Sequence, residues 1–82
     1  MNKVLISLKI PYLEQEFDIL IPENKKVGNV KNEILKIIND LYPNFFSSTD
    51  NFNFFERSTG ELVKNDRYVK NYIKNGSHLI LM

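Results

Sequence analysis

Apolar and polar residues alternate along two neighbouring segments near the start of the chain, and this alternation strongly limits the folds open to it. The first segment runs to Pro11 and the second to Pro22. A period of two residues is typical of a half-buried β-strand, and proline cannot donate to a strand ladder. The apolar positions are Val4, Ile6, Leu8, Ile10, Phe17, Ile19 and Ile21. The pattern predicts an antiparallel hairpin.

One register of this hairpin is favoured by its cross-strand pairs. When Lys9 lies opposite Glu16, Leu5 lies opposite Leu20 on the same face. Opposite charges and matched apolar side chains both stabilise directly facing positions. We therefore predict this register, with Leu5 and Leu20 on the outer face of the sheet.

The apolar period then changes to about 3.6 residues, which predicts an α-helix. Asn24 is a candidate N-cap. The helix should end before Pro43, because the residue before a proline avoids the α region. Lys31 is expected among the solvent-facing residues. The stripe expected to pack on the sheet contains Val27, Val30, Ile34, Ile37, Ile38 and Leu41.

The second half of the chain is predicted to form short elements separated by turns. Residues 44–51 form a predicted polar loop, and residues 52–55 a short strand with Phe55 pointing outward. A brief strand follows at residues 62–63, and Asn75-Gly76 is a turn signal. The predicted last strand covers residues 78–82.

This order of elements predicts an α+β domain of the β-grasp type. The last strand is almost wholly apolar, so we expect it at the centre of the sheet, parallel to the first strand, with the helix as the crossover. The expected fold is a single domain, residues 1–82, with a mixed sheet of four to five strands and one main helix packed across it. A ferredoxin-like domain would need a second full helix, which residues 64–74 do not supply.

Composition excludes several classes of function. The chain has 82 residues, no cysteine, one histidine and a net charge of +1. Disulfides, thiol catalysis and cysteine–zinc sites are excluded, and the charge balance argues against binding nucleic acid through bulk electrostatics. Neither a phosphate-binding glycine loop nor a nucleophile motif is present. We therefore expect no enzyme activity, no cofactor and no metal site.

The longest apolar runs are far shorter than a membrane span or a signal-peptide core. A transmembrane helix needs about 18 or more apolar residues. The first run here, Val4-Leu5-Ile6, ends at Ser7. These observations predict a cytoplasmic protein that does not insert into a membrane.

Two segments resemble the ubiquitin-like superfamily. Val27 to Ile34 is similar to the start of the ubiquitin helix, and Leu62 to Ile73 to its short strand and following turn helix. The chain most resembles the small bacterial ubiquitin-like proteins of the YukD/EsaB type, which accompany type VII secretion systems. This narrower resemblance is carried by Leu62-Val63-Lys64-Asn65-Asp66-Arg67, then Ile73, Asn75-Gly76 and the apolar run Leu79 to Met82. Asn71 departs from it, since many family members carry tyrosine there.

The resemblance implies a cytoplasmic accessory or regulatory protein of a type VII secretion system, with a secretion-system membrane component as a possible docking partner. Ubiquitin, its conjugated relatives and the sulfur carriers end in a flexible Gly-Gly tail, whereas this sequence ends Ile80-Leu81-Met82. We therefore expect a module that is not conjugated. The alternatives are a covalent modifier or sulfur carrier whose tail is removed or added later, and a β-grasp scaffold in unrelated signalling.

The predicted binding site is an apolar patch on the outer face of the sheet. Ubiquitin-like folds usually bind protein partners through this face. The alternative is scattered surface apolar residues, which are normal in soluble proteins. The same face could instead join two copies of the chain as a homodimer. The predicted patch consists of Leu5, Leu20, Phe55, Ile80 and Met82.

Overall fold

The computed structural model describes residues 2–43 and 52–82, so the predicted loop over residues 44–51 lies outside the described residues. Two strands, β1 and β2, are joined by a turn of 3-10 helix at Pro11–Leu13. A long helix, α1, and three short strands follow, with a short helix, α2, before the last strand. The bounds are β1 Lys3–Ile10, β2 Gln15–Pro22, α1 Val27–Leu41, β3 Phe54–Glu56, β4 Leu62–Val63, α2 Val69–Tyr72 and β5 Ser77–Leu81.

The sheet has the order β2-β1-β5-β3-β4, and β5 is parallel to β1 and antiparallel to β3. The predicted hairpin register is confirmed, with Leu5 opposite Leu20 and Lys9 opposite Glu16. The predicted central position of the last strand is also confirmed. A mixed five-stranded sheet with one main helix packed across it is the β-grasp fold that the sequence predicts.

The core lies between α1 and the inner face of the sheet. Every second residue of β1 from Val4 to Ile10 is buried, as the alternation predicts. Phe54, Leu79 and Leu81 supply the facing side chains from β3 and β5, and Phe54 and Leu81 are fully buried. The described helices include none long and apolar enough to cross a membrane.

Helix α1 is rotated relative to the predicted stripe. Ile37 and Leu41 are 58% and 63% exposed, so their expected place in the core is wrong. Lys31, expected on the solvent side, is only 7% exposed, and Leu35 is 4% exposed. Consecutive helix residues lie about 100° apart, so the rotation that buries Ile38 turns Ile37 away from the sheet.

The start of α1 is closed by backbone from a distant part of the chain. Asn24 is not the cap, because the N-cap residue is Lys26 and it makes no side-chain capping bond. The Val27 N–H donates to the carbonyl oxygen of Arg67 at 2.7 Å, and the Gly28 N–H to that of Asn65 at 2.9 Å. These carbonyls satisfy two of the amides that a helix start leaves without an intrahelical partner.

The lysines before α1 interact with neighbouring side chains. Lys25 forms an ion pair with Glu33, with 2.8 Å between Nζ and Oε1. The Nζ of Lys26 lies 5.8 Å from the centre of the Tyr68 ring. Both contacts place positive charge at a helix start, where the helix dipole is unfavourable to it. Glu33 and the Tyr68 ring offset that cost locally.

Gly28 lies against Asn65, and replacing it with alanine should destabilise the fold. A Cβ atom at Gly28 would lie 3.0 Å from the Asn65 Cβ and 3.2 Å from its carbonyl oxygen. We expect Gly28→Ala to lower the free energy of unfolding by about 1 kcal/mol, because the crowding exceeds the gain in helix propensity. Urea unfolding followed by circular dichroism measures this. Asn39→Ala on the exposed side of α1 is the control and should be neutral or slightly stabilising; equal stabilisation by Gly28→Ala would contradict the tight contact.

Candidate protein-docking site

The outer face of the sheet carries the apolar residues that the sequence singles out. The inward positions of β1 are buried, so Leu5, Ser7 and Lys9 point to the opposite face. The register extends this face to Leu20 on β2, Ile80 on β5 and Phe55 on β3. All the residues of the predicted patch lie on this face, but they form two groups.

The first group is the pair Leu5 and Leu20, which we call the leucine pair. These side chains face each other across β1 and β2 and are 43% and 61% exposed. The turn at Asn75-Gly76 holds this end of the sheet, because the Leu5 N–H donates to Asn75 Oδ1 and the Leu5 carbonyl accepts from the Gly76 N–H, both at 2.7 Å. Gly76 has φ 87°, a conformation that favours glycine.

The second group lies on β3, β4 and β5, and we call it the Phe55 cluster. Phe55 is opposite both Ile80 and Leu62, and these two flank it in the sheet. Phe55 and Ile80 are half-buried, whereas Leu62 is 50% and Met82 53% exposed. Met82 continues the outward side of β5 beyond Ile80, since its backbone exchanges hydrogen bonds with Asn53. The Phe55 cluster consists of Phe55, Leu62, Ile80 and Met82.

Leu62 was missed as a member of the predicted patch. Strand β4 has only two residues, which is too short for an alternating pattern to show which one points outward. Val63 is 8% exposed and faces the core, so its neighbour Leu62 must face outward. The weak signal available in the sequence was the turn at Ser58-Thr59-Gly60, which predicts a hairpin pairing β4 with β3.

A polar bridge separates the leucine pair from the Phe55 cluster. The Arg57 guanidinium reaches from the end of β3 to Glu16 on β2, with 3.0 Å between Arg57 Nη1 and Glu16 Oε1. The Ser7 hydroxyl donates to the same carboxylate oxygen at 3.3 Å. The bridge crosses β5 and β1 on the outer face. An exposed ion pair of this kind contributes only about 0–1 kcal/mol to stability, so its main effect is to divide the apolar surface.

The outer face offers an apolar contact surface. Among residues 2–43 and 52–82, no group of His, Cys, Asp and Glu side chains is placed to hold a metal ion. His78 is exposed beside Ser7, with which it pairs in the sheet. The basic stretch around α2 carries Arg67 over the Tyr72 ring, 5.4 Å from its centre. What the face can do is bind a surface with matching apolar side chains.

No protein-family model matches the chain. No curated protein matches it either.

Comparison by structure finds close matches at low sequence identity. Ubiquitin from Caldiarchaeum subterraneum superposes with a TM-score of 0.72 at 12% identity, over 98% of this chain and 91% of that one. The ubiquitin-like domain of the Mycobacterium tuberculosis type VII secretion system protein ECCD1 gives 0.73 at 13% identity, over 100% and 99%. A chain of the MycP5-free ESX-5 inner membrane complex gives 0.78 at 12% identity, over 100% of this chain and 21% of that one.

These matches show the fold class. The chain has a ubiquitin-like β-grasp fold, and similar solved structures include ubiquitin-like domains of type VII secretion proteins. The identities of 12% and 13% are too low to show more than the fold.

Proposed function

We propose that this chain is a non-catalytic protein-interaction module that binds a partner through the outer face of its sheet. The observation that carries the proposal is the Phe55 cluster. Leu62 and Met82 are half exposed beside the partly buried Phe55 and Ile80, which makes a continuous apolar surface across three strands. A contiguous exposed apolar surface on so small a domain is a typical feature of a protein contact.

The cellular role we propose is that of a cytoplasmic accessory or regulatory component of a type VII secretion system, of the YukD/EsaB type. The likeness to the ubiquitin-like domain of ECCD1 and to a chain of the ESX-5 inner membrane complex supports this role. The resemblance between residues 62–67 and the proteins of the YukD/EsaB type also supports this role. The partner is then a membrane component of the secretion apparatus, and the module acts without covalent attachment to it.

Leu62→Asp should abolish partner binding without unfolding the protein. Leu62 is 50% exposed on a two-residue edge strand, so a carboxylate there remains solvated while it disrupts an apolar contact. We expect affinity capture from cells that encode the protein to recover type VII secretion components with the native chain and to lose them with Leu62→Asp. Its melting curve by circular dichroism should stay close to that of the native protein.

Parallel washes under native and denaturing conditions, with the intact mass recorded, separate this function from the alternatives. Partners that leave on denaturation, together with a mass equal to that of the bare chain, are the expected result. Adducts that survive denaturation would make the chain a covalent modifier. Recovery of unrelated signalling proteins alone would favour the scaffold function. Asn39→Asp is the control, since it adds the same charge at an exposed position of α1 outside the Phe55 cluster, and it should retain the secretion components.

A further inference from the structure

An apolar groove runs between α1 and strand β2, on the side of the molecule away from the Phe55 cluster. Its volume is about 230 Å³ and its lining is almost entirely apolar. Ile37 is more than half exposed at its mouth, and Phe17 and Ile19 are only partly buried at its floor. The apolar side chains that line it are Phe17, Ile19, Ile34, Ile37, Ile38 and Leu41.

The groove borders a free strand edge. Strand β2 is the first in the sheet order, and no other described strand pairs with its outer side. Leu5 directs its N–H and C=O toward the β5 side, so Leu5 and Leu20 form a non-hydrogen-bonded pair of the hairpin. By the alternation of an antiparallel ladder, the backbone N–H and C=O groups of Glu16, Asp18 and Leu20 point to the free edge.

An unpaired edge beside an apolar groove is the geometry that accepts an added strand. The backbone of an extended segment can pair with the edge, while every second side chain of that segment enters the groove. The intervening side chains would then lie on the outer face, next to those of Asp18 and Glu16 on β2. The groove therefore favours a bound segment that is extended and in which every second residue is apolar.

One acidic residue, Asp18, lines the groove, and two more lie on α1 near Ile37. Asp40 and Glu33 lie three residues after and four residues before Ile37, on the same side of α1. Glu33 is paired with Lys25, but Asp40 and Asp18 have no ion-pair partner within residues 2–43 and 52–82. The basic side chain of α1 nearest in sequence to Ile37, Lys36, lines a separate depression on another side of the helix.

This charge pattern selects a basic occupant over a second copy of the chain. If two β2 strands paired edge to edge about a twofold axis centred on Asp18, the two Asp18 carboxylates would lie directly opposite each other. Like charges in facing positions of a sheet are destabilising. A segment with Lys or Arg at those positions gains attraction there instead.

We propose that β2 and α1 form a second docking site, which binds an extended segment of another protein with alternating apolar and basic residues. The segment adds as a strand to the free edge of β2. Its apolar side chains fill the groove between Phe17, Ile19 and Ile37, and its Lys or Arg side chains lie on the outer face beside Asp18 and Glu16. This site goes beyond the proposed function, because it does not use the Phe55 cluster and takes only the backbone of Leu20 from the leucine pair.

Two synthetic peptides test the proposal: one alternates Lys and Val, and the other alternates Glu and Val. Titration followed by NMR should show that the Lys/Val peptide binds at least about tenfold more tightly than the Glu/Val peptide. Hydrogen exchange should slow at the amides of Asp18 and Leu20, which point to the free edge. The amides of Phe17 and Ile19, already bonded within the hairpin, should change little.

Matched variants separate this site from the outer face. Ile37→Ser removes an apolar side chain from the groove without changing charge, and we expect it to weaken binding of the Lys/Val peptide about tenfold. Leu62→Ser makes the same kind of change at the opposite edge of the sheet and should leave peptide binding unchanged. Asp18→Asn should reduce the difference in affinity between the Lys/Val and Glu/Val peptides.

Three results would overturn the proposal: equal binding of the two peptides, protection confined to the outer face or to β4, or no perturbation of β2 by the Lys/Val peptide at millimolar concentration. Each of these outcomes is independent of the capture experiment with Leu62→Asp. If the groove does not bind the peptide, the function proposed for the Phe55 cluster is unaffected. If Leu62→Asp does not change partner capture, the proposal for the groove is likewise unaffected.

Discussion

Phe54→Ala is expected to lower the free energy of unfolding by about 3–5 kcal/mol, the cost typical of removing a fully buried phenylalanine. Phe54 is 0% exposed and sits on β3 between β4 and β5, opposite Val63 and Leu81. At about 0.05–0.15 kcal/mol per residue, a chain of 82 residues has a total stability of roughly 4–12 kcal/mol. The variant should therefore be near its unfolding midpoint without denaturant if the native stability lies at the low end.

The neighbouring residue provides a matched control for this measurement. Phe55 is the same residue type on the same short strand, but it faces outward and is only half-buried. We expect Phe55→Ala to cost about 1–2 kcal/mol, because it exposes less apolar surface and leaves no closed cavity. Urea unfolding of both variants, followed by circular dichroism, gives the comparison. A larger loss for Phe55→Ala would show that the inner and outer faces of β3 are assigned the wrong way round.

Val69→Asp is expected to lower the free energy of unfolding by roughly 3–5 kcal/mol, since it places a carboxylate in a fully buried apolar position. Val69 is 0% exposed at the start of α2, and its N–H donates to the Lys25 carbonyl at 2.9 Å. Val69 anchors the segment to which Asn65 and Arg67 belong. The backbone carbonyls of these two residues accept hydrogen bonds from the start of α1. The amides of Val27 and Gly28 should therefore lose hydrogen-exchange protection in the variant.

Asn71→Asp tests whether this effect comes from burial rather than from charge. Asn71 lies in the same short helix but is exposed, so the new carboxylate stays in water. We expect its free energy of unfolding to change by less than about 0.5 kcal/mol. If Val69→Asp changed stability as little as Asn71→Asp does, α2 would have no part in holding the start of α1.

The sequence predicted those parts of the fold that depend on local periodicity. The hairpin register followed from the Lys9–Glu16 and Leu5–Leu20 pairs, and the central place of β5 followed from its apolar character. The face of α1 was only partly predicted. The apolar positions of the helix span more of its circumference than the sheet covers, and periodicity does not show which margin stays uncovered. The structure leaves Ile37 and Leu41 at that margin, and they form the groove.

The features missed in the sequence depend on contacts between distant segments. Arg57 and Glu16 are 41 positions apart, and nothing local to either residue indicates that they meet. Their bridge divides a surface that strand parity alone predicted as one patch. The carbonyls that close the start of α1 come from Asn65 and Arg67, so no capping side chain was available to be recognised near Val27.

The central position of β5 also determines when the protein can fold during its synthesis. Strand β1 needs β5 as its parallel neighbour, and β3 needs β5 as its antiparallel one. A nascent chain that has released β1, β2 and α1 from the ribosome therefore exposes an open edge of β1 and an uncovered helix face. The sheet closes only when residues 77–81 emerge, so the cooperative folding step follows translation of the domain rather than accompanying it.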